Sequence, residues 1–133
     1  MSWLLSLSAE SGLEDRLFKA LAPLDLKSSV EICHSVPDLA NLLRQPFLDL
    51  RVIVLCIESQ EALREILPLG YLLSDRKNIL ILPDEDKETM AMGFKLRPRF
   101  ITWVDSDFSE LGVILKRMLA LYDAPETYRV NNG

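Results

Sequence analysis

Along the chain, short apolar runs alternate with segments whose apolar residues recur at three- and four-residue spacing. The first pattern predicts strands and the second amphipathic helices. "RVIVLCI", Arg51 to Ile57, and "NILIL", Asn78 to Leu82, are apolar on both faces and rich in β-branched residues. That marks central parallel strands covered by helices on both sides. Three weaker runs complete the set: Ser2 to Leu7, Val30 to His34 and Arg99 to Val104. The segments between them carry helix signals. Ser11 caps a helix from Gly12 to about Leu21, with Leu13, Leu17, Phe18 and Leu21 on one face and Pro23 as its stop. "SVPD" places Ser35 as cap, Pro37 in the first turn and Asp38 at the capping-box position. Leu39, Leu42 and Leu43 form that helix's buried face and Pro46 ends it. Ser59 caps a helix to about Leu67; Pro68 and Gly70 break it, and "YLLSD" adds a last turn. "PDEDKETMAMGFKL" reads as an acidic helix start and a Met-rich helix to about Phe94. Asp107 caps the last and longest helix, from Phe108 to about Tyr122, with Phe108, Leu111, Leu115, Met118 and Tyr122 in one stripe.

Five strands thus alternate with five helices. Short loops and right-handed crossovers turn that order into an α/β fold, a three-layer α/β/α sandwich around a five-stranded parallel sheet. The expected strand order is 2-1-3-4-5, the flavodoxin-like arrangement, whose sites lie at the carboxyl ends of strands one and three with help from four and five.

The chain has 133 residues, enough for one domain over residues 1–123 with a frayed tail, 124–133. Hydrophobic residues make up 49%, so a core forms without disulfides or metal. The net charge of −5 argues against non-specific binding to nucleic acid or an anionic membrane. Lys95, Arg97 and Arg99 are the densest basic cluster, which a solvated strand entry explains as well. Cys33 and Cys56 lie in apolar runs and read as buried small hydrophobes; with the single His34 they are too few for a zinc site. "MSWLLSLSAES" lacks a basic n-region and is too short to span a membrane, so the expected location is the cytoplasm.

The strand-end loops carry the candidate chemistry. "SLSAESG", around the Ser6–Ser11 loop, has the hydroxyls of a phosphate-binding turn. Glu10 in its middle opposes a phosphate, and no glycine-rich nucleotide motif occurs anywhere in the chain. The other reading is a plain helix cap at Ser11.

From Trp3 to Tyr122, the element order, the lengths and the amphipathic helix after "DSDFSELG" resemble the receiver domains of two-component signalling. The resemblance implies an acidic pair after strand one that binds Mg²⁺. It also implies a phosphoacceptor Asp after strand three, a Ser/Thr after strand four and a Lys after strand five. At those places stand Ser8 and Ala9, Cys56 to Glu58, Pro83, and Trp103 or Val104. Only Glu10 and Glu58 offer acids there. The implied module is a degenerate receiver that lacks phosphorylation chemistry, with no metal and no cofactor. Ser8, Glu10, Glu58 and Asp84 are then expected to form a residual polar pocket.

Smaller constellations add little. Cys33 and His34 point to opposite faces of a strand and cannot act as a pair. His34 can meet Cys56 across strands, but no third partner completes a catalytic set, so no enzyme is expected. The four carboxylates of "PDEDKE" suit a helix N-terminus without any ligand. Met90, Met92 and Phe94 sit at alternate positions and cannot all face the sheet. The receiver resemblance implies that Met90, Phe94, Trp103 and the outer side of the last helix contact a protein partner or a second copy. The alternative function is a flavodoxin-like protein holding a flavin or nucleotide in the Ser6–Ser11 loop.

Overall fold

The computed structural model describes residues 2–7, 12–26, 29–45, 50–73 and 76–122. Five strands alternate with helices: β1 (Ser2–Ser6), α1 (Leu13–Leu21), β2 (Ser29–Cys33), α2 (Val36–Leu43), β3 (Leu50–Cys56), α3 (Gln60–Ile66), α4 (Gly70–Leu73), β4 (Lys77–Leu82), α5 (Lys87–Phe94), β5 (Phe100–Trp103) and α6 (Ser109–Tyr122). The strands form one parallel sheet in the expected order β2-β1-β3-β4-β5.

Two apolar layers explain that arrangement. Leu4, Ile53, Leu55, Leu80 and Leu82 point to one side, where α2, α3, α4 and α5 cover them with Leu39, Leu43, Leu63, Ile66, Leu73 and Met92. Trp3, Leu5, Val52, Val54, Ile79 and Ile81 point to the other side. There α1 and α6 supply Leu13, Leu17, Leu21, Leu111, Leu115 and Leu119. The side chains of β3 described over Val52–Cys56 are buried on both faces, as its unbroken apolar run requires.

Local signals act largely as read. Ser35 and Ser59 accept the backbone N–H groups of Asp38 and Ala62, which starts α2 and α3. Pro68 lies in a 3-10 turn, Leu67–Leu69, that ends α3. Gly70 does not break the chain there; it is helical and opens the single turn α4. Two other expectations need correction. Helix α5 begins at Lys87, so only Glu88 of the acidic run lies in its first turn. Helix α6 begins at Ser109, because Phe108 takes a left-handed backbone conformation, φ +63°. Asp107 caps it all the same, accepting both the N–H and the hydroxyl of Ser109. Those bonds hold the Asp107 carboxyl below its ordinary pKa. Ser11, Pro46 and the tail 124–133 fall outside the described residues.

Candidate functional site

Two cavities open at the carboxyl end of the sheet. The first, of about 430 Å³, lies between the ends of β1, β2 and β3 and the starts of α2 and α3. Ser6, His34, Ser35, Cys56, Glu58, Ser59 and Glu65 give its polar lining, and Leu7, Val36, Pro37, Ala62 and Ile66 its apolar wall. His34 is not part of β2. Its Nδ1 lies 3.3 Å from the Leu7 carbonyl oxygen, which ties the end of β1 to the loop after β2. His34 and Cys56 therefore share a cavity, although β1 lies between β2, which His34 follows, and β3, which Cys56 ends.

The second cavity, of about 410 Å³, lies over the ends of β3, β4 and β5, lined by Leu13, Arg16, Glu58, Pro83, Val104 and Asp105. Glu58 faces both spaces. Arg16 reaches across from α1. Its two terminal nitrogens donate to the carbonyl oxygens of Val104 at 2.8 Å and Ser106 at 2.7 Å. The guanidinium carbon also stands 5.0 Å from the centre of the Phe108 ring. Thus the charge of Arg16 is already engaged by the loop between β5 and α6.

Asp84 lines neither cavity among their described residues. Its carboxylate accepts the N–H of Asp86, and its carbonyl accepts the indole N–H of Trp103 at 3.1 Å. Ser8 and Glu10 lie outside the described residues, as does most of the Ser6–Ser11 loop. Among the described residues, no three His, Cys, Asp or Glu side chains gather as a metal site would require.

The thiols differ from ordinary ones. Burial, with a further contribution from the charge of Glu58, pushes Cys56 up to about 12. Burial raises Cys33 too, partly opposed by the Ser6 hydroxyl. A raised thiol pKa leaves less of the nucleophilic thiolate near neutral pH. The two thiols also belong to different layers, Cys33 to the α2–α5 side and Cys56 to the α1–α6 side.

Solved structures share this architecture. The signal receiver domain of an HD domain-containing protein from Pseudomonas fluorescens Pf-5 superposes with a TM-score of 0.70 at 17% identity, over 90% of this chain and 86% of that one. A CheY-like response regulator receiver domain from Methanospirillum hungatei JF-1 gives 0.69 at 12% identity, over 92% and 97%. A response regulator from Thermotoga maritima gives 0.62 at 15%, over 90% and 99%. The chain has the receiver fold. No protein-family model matches the sequence, and no curated protein matches it.

The described ends of β3, β4 and β5 in this receiver-like domain carry the following residues. Cys56 closes β3 with a buried thiol, Ile57 is fully buried, and Glu58 is exposed. Pro83 follows β4 and Val104 follows β5, both on the second cavity. On the α5/β5/α6 face, Phe94 is 60% exposed whereas Met92 is buried. Met90 and Trp103 are partly buried against the α2–α5 core. The residue that sequence reasoning missed is Arg16. Its partners lie 88 and 90 residues away, so no local spacing announces it.

Proposed function

We propose that this receiver-like domain is a phosphorylation-independent signalling module that works through protein–protein contact in the cytoplasm. One observation carries the reading. The cavity over β3, β4 and β5 is lined by Glu58, Pro83 and Val104, and the receiver resemblance puts an acceptor Asp at Cys56 to Glu58, a hydroxyl at Pro83 and a lysine at Trp103 or Val104. The cavity's cation, Arg16, is engaged by two backbone carbonyls. A carboxylate can accept a phosphoryl group only if its charge is neutralised by a metal and by cations free to turn toward it. Among the residues described around Glu58, the cavity's cation is not free to turn toward it. Incubating the protein with acetyl phosphate and Mg²⁺ should leave its intact mass and its sedimentation unchanged. An acid-labile phosphoryl adduct on Glu58 or any other carboxylate would sink the reading.

The same reading assigns a partner face. Phe94 leaves most of its ring in solvent, and Val113 on α6 is 43% exposed. Exposed large apolar side chains with this placement suit contact with a protein partner or a second copy. Phe94→Asp should change folding stability by less than about 0.5 kcal/mol while abolishing concentration-dependent association in sedimentation velocity. Association that survives the change unaltered removes Phe94 from the face.

A further inference from the structure

We infer that Arg16 is a latch that holds the β5–α6 loop, and with it the start of α6 and the turn before α5, in one fixed arrangement. The inference goes beyond the proposed function and does not depend on it. It rests on hydrogen-bond geometry, whichever partner the domain meets.

Three features converge on the loop. First, Arg16 bridges it as a planar fork, with separate nitrogens on the Val104 and Ser106 carbonyl oxygens. A lysine ammonium is a point charge without that rigid planar fork. Second, the loop is strained. Phe108 is a bulky residue at φ +63° and is only 2% exposed. Such a conformation persists only where surrounding contacts over-determine it. The fork on one side and the apolar layer on the other supply those contacts. Third, the loop is wired onward. The Ser106 hydroxyl oxygen accepts from Thr102 and from the Phe108 N–H, and the Ser106 N–H donates to the Trp103 carbonyl. Trp103 in turn donates its indole N–H to the Asp84 carbonyl, before α5. An unbroken set of hydrogen bonds thus leads from α1, through the end of β5, to the α5 turn.

The charges around Arg16 favour the closed latch. Glu58 and Asp105 line the same cavity and keep a cation there favourable, while discouraging an anion from drawing the guanidinium away.

The test is amide and indole hydrogen exchange on the full chain. In Arg16→Gln, exchange of the Ser106 and Phe108 amides and of the Trp103 indole should accelerate about tenfold or more, with β3 and β4 amides changing less than about twofold. Arg16→Lys, which keeps the charge and the helix propensity, should release the loop nearly as far. It also keeps the test open if the Gln variant folds poorly. Unchanged loop exchange in both variants would overturn the inference. So would acceleration spread evenly over the sheet, since Arg16 would then contribute general stability only. Full protection in Arg16→Lys would overturn it as well, by reducing the fork to a simple charge.

Discussion

Phe108→Ala should destabilise the fold by about 3–5 kcal/mol, and Phe108→Gly should cost about 1 kcal/mol less than the alanine change. The first figure follows from burial. The ring is 2% exposed among Leu17, Leu111, Leu115 and the β-strand side chains of the α1–α6 layer, and truncation leaves a cavity there. The second follows from the backbone. Elsewhere glycine is worse than alanine, because its unfolded chain has more freedom to lose. At φ +63° the order reverses, since a Cβ itself is strained and glycine has none. Urea unfolding of the two variants decides the point. If glycine falls below alanine in the usual way, the left-handed geometry at the start of α6 is wrong, and with it part of the case for the Arg16 latch.

Cys56 should be alkylated about a thousandfold more slowly in the native protein than an ordinary thiol at pH 8. Its pKa stands at about 12 against an ordinary 9.0, so the reactive thiolate is that much rarer before any hindrance is counted. Iodoacetamide labelling followed by peptide mapping separates Cys56 from Cys33 without mutation, and urea should restore the normal rate for both. Rapid native labelling of Cys56 would show that burial does not suppress its ionisation. The same shift sets a stability limit at alkaline pH. In the unfolded chain the thiol loses its proton near pH 9, while in the folded chain it keeps it until about 12. The stabilisation is thus complete below pH 9 and is lost as pH rises toward 12, by an amount on the order of 4 kcal/mol at the far end. Cys33, also raised, adds to the same trend. Neither thiol predicts any weakening on the acid side.

The sheet was legible because its signals are local and strong. "RVIVLCI" and "NILIL" have no polar face, so they can lie only in the middle of a parallel sheet, and chain connectivity then leaves few strand orders. Ser35 and Ser59 were legible as caps for a similar reason, since a hydroxyl before a helix start acts within three residues. The start of α6 was harder to read. Nothing in "DSDFSE" marks Phe108 as left-handed, because no glycine stands there to signal it. The acids of "PDEDKE" misled about α5, because Asp84 uses its carboxylate on the turn that delays the helix. At the candidate site the sequence indicated which residues end the strands. It did not indicate that α1 would send a guanidinium across to the β5–α6 loop, since that contact depends on tertiary packing.

The parallel sheet also has a consequence for how the protein reaches its native state. Each strand pairs with residues far along the chain. Ser2 lies beside both Ser29 and Leu50, Val52 beside Lys77, and Ile79 beside Phe100. Among the described residues no hairpin nucleates the sheet, so every described pairing must first close a loop and bear its entropy before the contacts repay it. β1, although first in sequence, sits between β2 and β3 and cannot complete its ladder until both are in place. Folding should therefore be slower than that of a helical bundle of equal length, with the β1–β3–β4 centre assembling as one nucleus.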